Sequence, residues 1–454
     1  MKTVLLLLLS CLSLHAARPN VLLIVADDLG FADLSCYGND RVQTPSIDAI
    51  AAQGIQLEQF YAAGPVCTPT RASIVSGKYP LRYNIEAVFR DRGEFLPAGN
   101  TLPQLMQDAG YATALIGKWH LGGLRLKERA MRDTVDGPHQ HGYSHYLCQI
   151  EEHPLRTAYF KRGDLYARGG TCLLENEVQL DETHPYYSMF FTDIMGDETI
   201  RMIEQLHAAE APFFIHANFQ VPHLPLERAP EPHWSATAAE GISEDQHRIR
   251  SMLARLDFQI GRVMASLDTL GLADNTLVLF TSDNGGHKAS NNGDWRGNKG
   301  QLYEGGIRVP FIARWPGQIP VGTLANDRGH SNDILPTICA AADIPLPDAG
   351  YDGDNILPLL KGDSIDRSEV PEFWYFDPNL GRSKKKKGTR TGAVRLGDWK
   401  LLTAYGEPLE LYNLKEDPAE QENQMDTMPE KTAELAALLQ AWLDEPRDSF
   451  KVAQ

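Results

Sequence analysis

Five short, largely apolar runs pace residues 20–313, and each stops at a turn. They are NVLLIV at 20–25 before Ala26, Asp27, Asp28, Leu29 and Gly30; ATALI at 112–116 before Gly117 and Lys118; FFIHAN at 213–218; LVLFT at 277–281 before Ser282, Asp283, Asn284, Gly285 and Gly286; and VPFIA at 309–313. Runs of this length, rich in β-branched and aromatic residues, read as strands buried on both faces. Amphipathic stretches at 46–53, 102–109, 193–208 and 249–270 fall between them. Strands alternating with helices predict an α/β sheet covered on both faces. In such sheets chemistry gathers at the carboxyl ends of the strands. Asp27, Asp28, Lys118, His120, Asp283 and Asn284 all fall there.

The two ends of the chain have other textures. Lys2, an apolar run over 4–14 and the small residues Ala16 and Ala17 read as a secretory signal peptide over 1–17. The run is too short to span a bilayer, and no later stretch approaches that length, so no membrane span is expected. The expectation is an exported protein, periplasmic or extracellular after cleavage. Residues 18–370 read as the catalytic domain. From about residue 371 the texture changes to a tetralysine run at 384–387, short strands at 391–395, 399–403 and 410–412, and a helix at 430–443. That pattern predicts a C-terminal subdomain over 371–454, a small antiparallel sheet with one helix. The lysine run reads as a charged surface loop or as an attractor for a polyanion.

With 43 basic against 60 acidic residues, the chain carries a formal net charge of −17. Such a surface argues against nucleic acid and anionic membranes as partners. An anionic ligand would need cations concentrated in one cleft. Six cysteines are present. Cys11 leaves with the signal peptide, and Cys36, Cys67, Cys148, Cys172 and Cys339 remain. An odd number in an oxidising compartment points to one thiol with another fate. Cys148 and Cys172 flank a polar segment and either pair or stay reduced, since sequence does not fix connectivity.

Asp27 and Asp28 on one strand end, with Asp283 and Asn284 on another, offer hard oxygen ligands that suit Ca²⁺ or Mg²⁺ better than zinc. Either pair alone would read as a helix cap or a turn. Arg71, Lys118, His120, His223 and Lys299 fall after predicted strands or in segments rich in glycine and proline, and are expected in loops. A divalent cation with three carboxylates, joined by Arg71, Lys118 and Lys299, makes a cationic cleft inside an acidic protein.

The stretch CTPTR at 67–71, followed by Ala72, Ser73 and Ser76-Gly77, resembles the C-x-P-x-R signature of type I sulfatases. The resemblance continues in family order through NVLLIVADDLG at 20–30, GYATALIGKWHLG at 110–122, FQVPHLP at 219–225, TSDNGGH at 281–287, GNKGQLYEGGIRVP at 297–310, DILPTICAAADIPLP at 333–347, DGDNILPLLKG at 352–362 and RLGDWKLL at 395–402. It implies an alkaline-phosphatase-like fold: a large mixed β-sheet sandwiched by helices, with a smaller C-terminal antiparallel sheet plus helix. It also implies that Cys67 is oxidised to Cα-formylglycine by a formylglycine-generating enzyme or an anaerobic sulfatase-maturating enzyme. The hydrated aldehyde then attacks sulfur with one hydroxyl and expels sulfate with the other. By the same resemblance Asp27, Asp28, residue 67, Asp283 and Asn284 hold one Ca²⁺, and Asp283 activates the attacking hydroxyl. Arg71 holds the hydrated aldehyde, and Lys118 and Lys299 clamp the sulfate. His120 takes a proton in the elimination step, and His223 protonates the leaving oxygen.

Two other readings stay open from the residues alone. One is a phosphodiester or phosphonate hydrolase of the same superfamily, although Asn284 stands where two-zinc members carry histidine. The other is a non-catalytic glycan-binding protein, which would follow if Cys67 is never matured. Export favours a sulfated carbohydrate as substrate. Specificity is expected in loops at 124–182, 287–296 and 373–390, with Trp295 stacking on a sugar and His287 or Arg296 reaching a hydroxyl or carboxylate.

Overall fold

Every side chain of the run Asn20–Asp27 is buried. A strand with apolar groups on both faces must lie at the middle of a sheet that is covered twice. The computed structural model describes residues 18–89, 94–123, 136–149, 173–181, 183–380 and 388–447. Its main-sheet strands, in chain order, are β1 (Asn20–Asp27), β2 (Ile55–Tyr61), β3 (Ala112–Gly117), β4 (His145–Gln149), β5 (Leu173–Glu175), β6 (Val178–Gln179), β7 (Phe213–Pro222), β8 (Thr276–Ser282), β9 (Arg308–Arg314) and β10 (Thr323–His330). They lie side by side as β10-β2-β9-β8-β1-β7-β3-β4-β5-β6.

Central strand β1 runs parallel to β7 and β8. The β8-β9 and β9-β2 pairs are antiparallel, as are β4-β5 and β5-β6, so the sheet is mixed. Alternation along β1 feeds two cores. Val21, Leu23 and Val25 pack with Ile74, Leu102 and Leu335 from helices Cys67–Ser76, Leu102–Asp108 and Ile334–Ala341. Leu22, Ile24 and Ala26 pack with Ile194 and Leu256 from helices Phe191–Ala208 and Glu244–Thr269. Each such leucine or isoleucine contributes about 1.5–3 kcal/mol by leaving water.

A second, antiparallel sheet follows, formed by β11 (Glu372–Tyr375), β12 (Gly392–Leu396), β13 (Trp399–Ala404) and β14 (Glu407–Asn413). One face receives Leu435, Leu439 and Trp442 of helix Pro429–Leu443. The other presses Trp374, Leu402 and Tyr412 onto Tyr61, Leu302 and Ile307 of the main body. Charge crosses the same seam. Lys400, fully buried on β13, lies 2.9 Å from Glu304 and 2.9 Å from Glu420.

The expected strands and helices are present, most of them one to four residues longer than their apolar runs. Sequence reading passed over β2, β4 to β6, β10, β11 and helix Cys67–Ser76. Strand β10 reads TLANDRGH, too polar for a strand signal, because it lies at the edge of the sheet. Helix Cys67–Ser76 reads CTPTRASIVS and is buried at every position, so no apolar stripe announces it. Arg71, expected in a loop, belongs to this helix. The signal peptide over 1–17, Cys172 with its possible bond to Cys148, the lysine run and most of 124–182 lie outside the described residues. Among the described residues no helix is long and apolar enough to cross a membrane.

Removing the amine of Lys400 would leave two carboxylates facing each other without water. Lys400→Ala should cost about 3–5 kcal/mol of stability, read from thermal or urea unfolding. Adding Glu304→Gln and Glu420→Gln should recover much of the loss. A neutral Lys400→Ala would show that the seam is held by its apolar contacts alone.

Candidate active site

Parallel pairing of β1 with β8 puts Ala26 opposite Ser282. The residues that follow on each strand, Asp27-Asp28 and Asp283-Asn284, must therefore emerge side by side. The Asp28 amide donates to Asp283 Oδ1 at 3.2 Å, and the Asn284 amide nitrogen donates to Asp28 Oδ1 at 2.8 Å. Asp28 makes the turn with a left-handed φ of 64°, and His120 does the same after β3 with 59°. Non-glycine residues held there store strain, which clusters at functional sites.

Helix Cys67–Ser76 aims its first residue at this acidic corner. Cys67 Sγ lies 3.4 Å from Asp27 Oδ1, 3.1 Å from Lys118 Nζ and 3.7 Å from Lys299 Nζ. Lys118 reaches Asp27 at 2.7 Å and Lys299 reaches Asp28 at 2.6 Å. One helical turn beyond Cys67, Arg71 grips Asp283 with Nε at 2.9 Å and a terminal nitrogen at 2.8 Å. Its other terminal nitrogen donates to the Lys118 carbonyl at 3.0 Å. The Thr68 hydroxyl donates to the His120 carbonyl at 3.1 Å, which ties the turn after β3 to the start of the helix. His223, just past β7, brings Nε2 to 3.9 Å from Asp28, and its Nδ1 faces the Leu224 carbonyl. All ten residues expected in the cluster meet at one pole of the sheet.

Three buried carboxylates face three buried or nearly buried cations. Burial pushes Asp27 up, but His223, Lys118, Arg71 and Lys299 outweigh it and hold its carboxyl well below the usual range. Burial, then the charge of Asp27, pushes Asp283 up to about 6 against Arg71 and Lys118. Burial pushes the Cys67 thiol up to about 12 although Lys118 and Lys299 oppose it. His223 falls to about 4, from burial and the charge of Lys118. Lys299 is raised because Cys67, Asp28 and Asp27 overcome the effect of burial.

The acids also suit a metal ion. One donor atom each from Asp27, Asp28, Cys67 and His223 lies within 4.8 Å of the others. Asn284 Oδ1 is buried with no hydrogen-bond partner, which makes it a candidate oxygen ligand for a cation. A divalent ion added to the balanced cluster leaves it positive, as an anionic ligand requires. A second group, His145, Glu175 and Glu198, also lies within ligand spacing. There Arg201 spans Glu198 at 2.6 Å and Glu175 at 2.9 Å, so that group is a closed ion-pair network. A cavity of about 490 Å³ lies at the opposite pole beside Asn20, Phe213 and Asn275 and touches none of this chemistry.

Of the three loop residues expected to meet substrate, His287 lies close enough to the cluster for the charges of Asp28 and Lys299 to bear on it. Trp295 has the Arg308 guanidinium over its ring at 4.0 Å and Phe31 against it at 5.8 Å. Arg296 donates to the Tyr412 hydroxyl at 2.9 Å and the Glu420 carbonyl at 2.6 Å, which commits its guanidinium to the seam between the sheets. Sequence reading missed Asp33, whose two carboxylate oxygens accept the amides of Gly30 and Asn291, each at 2.8 Å. Its spacing of three from Gly30 was the available signal, a side-chain turn across the end of DDLG.

A family described as Sulfatase matches residues 19–344, and one described as N-sulphoglucosamine sulphohydrolase, C-terminal, matches 294–449. Steryl-sulfatase of Mus musculus is 30% identical over 500 residues, covering 88% of this chain and 78% of its own. N-acetylgalactosamine-6-sulfatase of Canis lupus familiaris is 30% identical over 427 residues, covering 87% and 74%. The crystal structure of Ps i-CgsB in complex with k-i-k-neocarrahexaose shares the fold, with a TM-score of 0.80, 24% identity and 95% of each chain covered.

Gly117, the last residue of β3, decides where Lys118 starts. It has φ +98°, and a Cβ there would sit 1.9 Å from the Asn218 carbonyl oxygen of β7. Gly117→Ala should cost about 2–4 kcal/mol and displace Lys118 from Asp27. The check is a thermal melt together with turnover of an aryl sulfate, and both should fall.

Proposed function

The chain belongs to the sulfatase family and is a sulfuric ester hydrolase, and from that premise we propose that it removes sulfate from glycans with residue 67 as formylglycine and one calcium ion. The observation that carries this reading is the setting of Cys67. Its thiol is the point on which Lys118, Lys299 and Asp27 converge, yet burial keeps it protonated. A neutral thiol is a poor nucleophile. So much machinery around an unreactive group argues that the group is chemically changed before it works.

As formylglycine, residue 67 supplies a hydrated aldehyde as nucleophile, and calcium, when bound, supplies a Lewis acid for a sulfate oxygen. Asp27, Asp28, Asp283 and the free Asn284 Oδ1 would hold the ion; hard oxygens favour calcium over zinc. Lys118 and Lys299 orient the sulfate beside residue 67 and offset its charge. Asp283, raised toward neutrality, holds the proton of the attacking hydroxyl. Arg71 fixes Asp283 in place, and His120 receives the proton of the second hydroxyl. His223 is neutral before substrate arrives, and an anionic ester beside it favours its protonated form, ready for the leaving oxygen.

Among the described residues, the polar His223, His287, Asn291 and Asn292 stand near the cluster, and their polarity favours a glycan over a sterol. The named activity of the N-acetylgalactosamine-6-sulfatases supports the same choice. Export across a membrane, and maturation by a formylglycine-generating or anaerobic sulfatase-maturating enzyme, belong to this reading.

Protein made with a maturing enzyme should yield a residue-67 peptide about 18 Da lighter than the thiol form, in proportion to aryl sulfatase activity. Cys67→Ala should lower turnover by about 10³-fold or more with little change in melting temperature. Full activity with an unmodified thiol would overturn the assignment. Chelation should remove activity, and Ca²⁺ should restore it better than Zn²⁺; recovery with zinc alone would overturn the calcium site.

A further inference from the structure

Past the turn that follows Asp28 lies a shallow groove, open to solvent, whose enclosed part is about 20 Å³. One wall is the chain that follows β1, the other is helix Glu244–Thr269, and the loop after β8 closes the end. The first wall is rigid. Asp33 clamps it to Asn291, the Asn291 side chain donates to the Ala32 carbonyl at 2.8 Å, and the Asn39 side chain donates to the Asp33 carbonyl at 2.7 Å. The Arg41 amide then bonds Asn39 Oδ1 at 2.9 Å, which fixes where the Arg41 side chain starts.

Two arginines line this space. Arg250 extends from the helix, half-buried, and has no ion pair or side-chain hydrogen bond among the described residues. Arg41 has only a loose contact with its neighbour Asp40, 3.8 Å long between side chains 55% and 90% exposed. A pair that open is worth almost nothing. The carboxylate in the lining, Asp33, has both oxygens capped by backbone amides and is 2% exposed; the charge of Arg41 bears on it, but neither arginine bonds it. At the start of the helix Glu244 is held by Arg248 at 3.0 Å. In a chain of net charge −17, two unclaimed arginines on one cleft are out of keeping with the surface.

The cleft adjoins the chemistry. Its lining residue Asp33 accepts the amide of Gly30, two residues past Asp28, and its lining residue Ala289 stands two residues past His287. The charges of Asp28, Lys288 and Lys299, and of Asp245 beside the lining residue Gln246, all bear on His287. We propose that Arg41 and Arg250 form a second anion subsite, which takes a further sulfate or carboxylate of the glycan whose sulfate ester is being cleaved. The planar guanidinium fork matches both groups. The proposal rests on the sulfatase reading and narrows its substrate class to chains with more than one negative group.

The test uses hydrolysis of 4-methylumbelliferyl sulfate by matured enzyme, inhibited by dextran sulfate oligosaccharides, by oligogalacturonate or by neutral dextran. In the Arg41→Ala/Arg250→Ala variant the inhibition constant for the anionic oligosaccharides should rise about tenfold, while kcat and KM for the aryl sulfate stay unchanged. Loss of the effect with dextran sulfate alone assigns the subsite to sulfate, and loss with oligogalacturonate assigns it to carboxylate. Arg41→Lys/Arg250→Lys should retain part of the inhibition and its salt sensitivity. Unchanged inhibition, or an equal rise in KM for the aryl sulfate, overturns the subsite. If no sulfate ester is hydrolysed, the sulfatase reading falls, and titration calorimetry with dextran sulfate oligosaccharides still decides the cleft.

Discussion

Three carboxylates buried at adjoining strand ends cannot persist without compensation, and the rest of the site follows from supplying it. An isolated buried carboxylate costs more than the fold's whole margin of stability. Lys118 answers Asp27, Lys299 answers Asp28 and Arg71 answers Asp283. Each cation comes from a different part of the chain: the turn after β3, the loop before β9, and a helix between β2 and β3. Bringing these together obliges the sheet to place β3 and β8 on the two sides of the β1-β7 pair. The left-handed turns at Asp28 and His120 are local strains that this arrangement sustains.

The C-terminal sheet takes part in the same arrangement from a distance. Lys299 lies in a loop whose two ends are fastened separately. Its own amide bonds the Gly286 carbonyl at 2.9 Å, on the side of the acidic corner. On the other side Arg296 holds Tyr412 and the Glu420 carbonyl, and the Glu304 amide donates to Glu420 at 2.7 Å. The buried Glu304-Lys400-Glu420 triad is the anchor of that second fastening. The small sheet therefore bears on the height at which Lys299 stands above Asp28, without contributing a described side chain to the cluster.

Much of this was legible in the residues. The five apolar runs became β1, β3, β7, β8 and β9 because strands buried on both faces carry an unmistakable composition. The acidic pairs after β1 and β8 could be matched because strand ends are where such a sheet works. What stayed hidden was whatever lacked a hydrophobic period. Helix Cys67–Ser76 is polar yet wholly buried, held by Thr68, Thr70 and Ser73 hydroxyls bonded to backbone and side chains of other segments. Edge strand β10 is half solvated and reads as a loop. Arg296 looked free in sequence because its partners, Tyr412 and Glu420, lie more than a hundred residues away.

The burial of that helix also sets an order of events. Cys67 is 1% exposed, Thr68 and Thr70 are fully enclosed, and Arg71 is locked between Asp283 and the Lys118 carbonyl. Another protein that reads these residues as an extended peptide finds none of them once β1, β3 and β8 have closed over the helix. Whatever is done to residue 67 by a second protein must happen while the chain is still open. On the proposed maturation, a molecule that folds too soon would keep its thiol, and two populations of the same fold would coexist, differing only at residue 67.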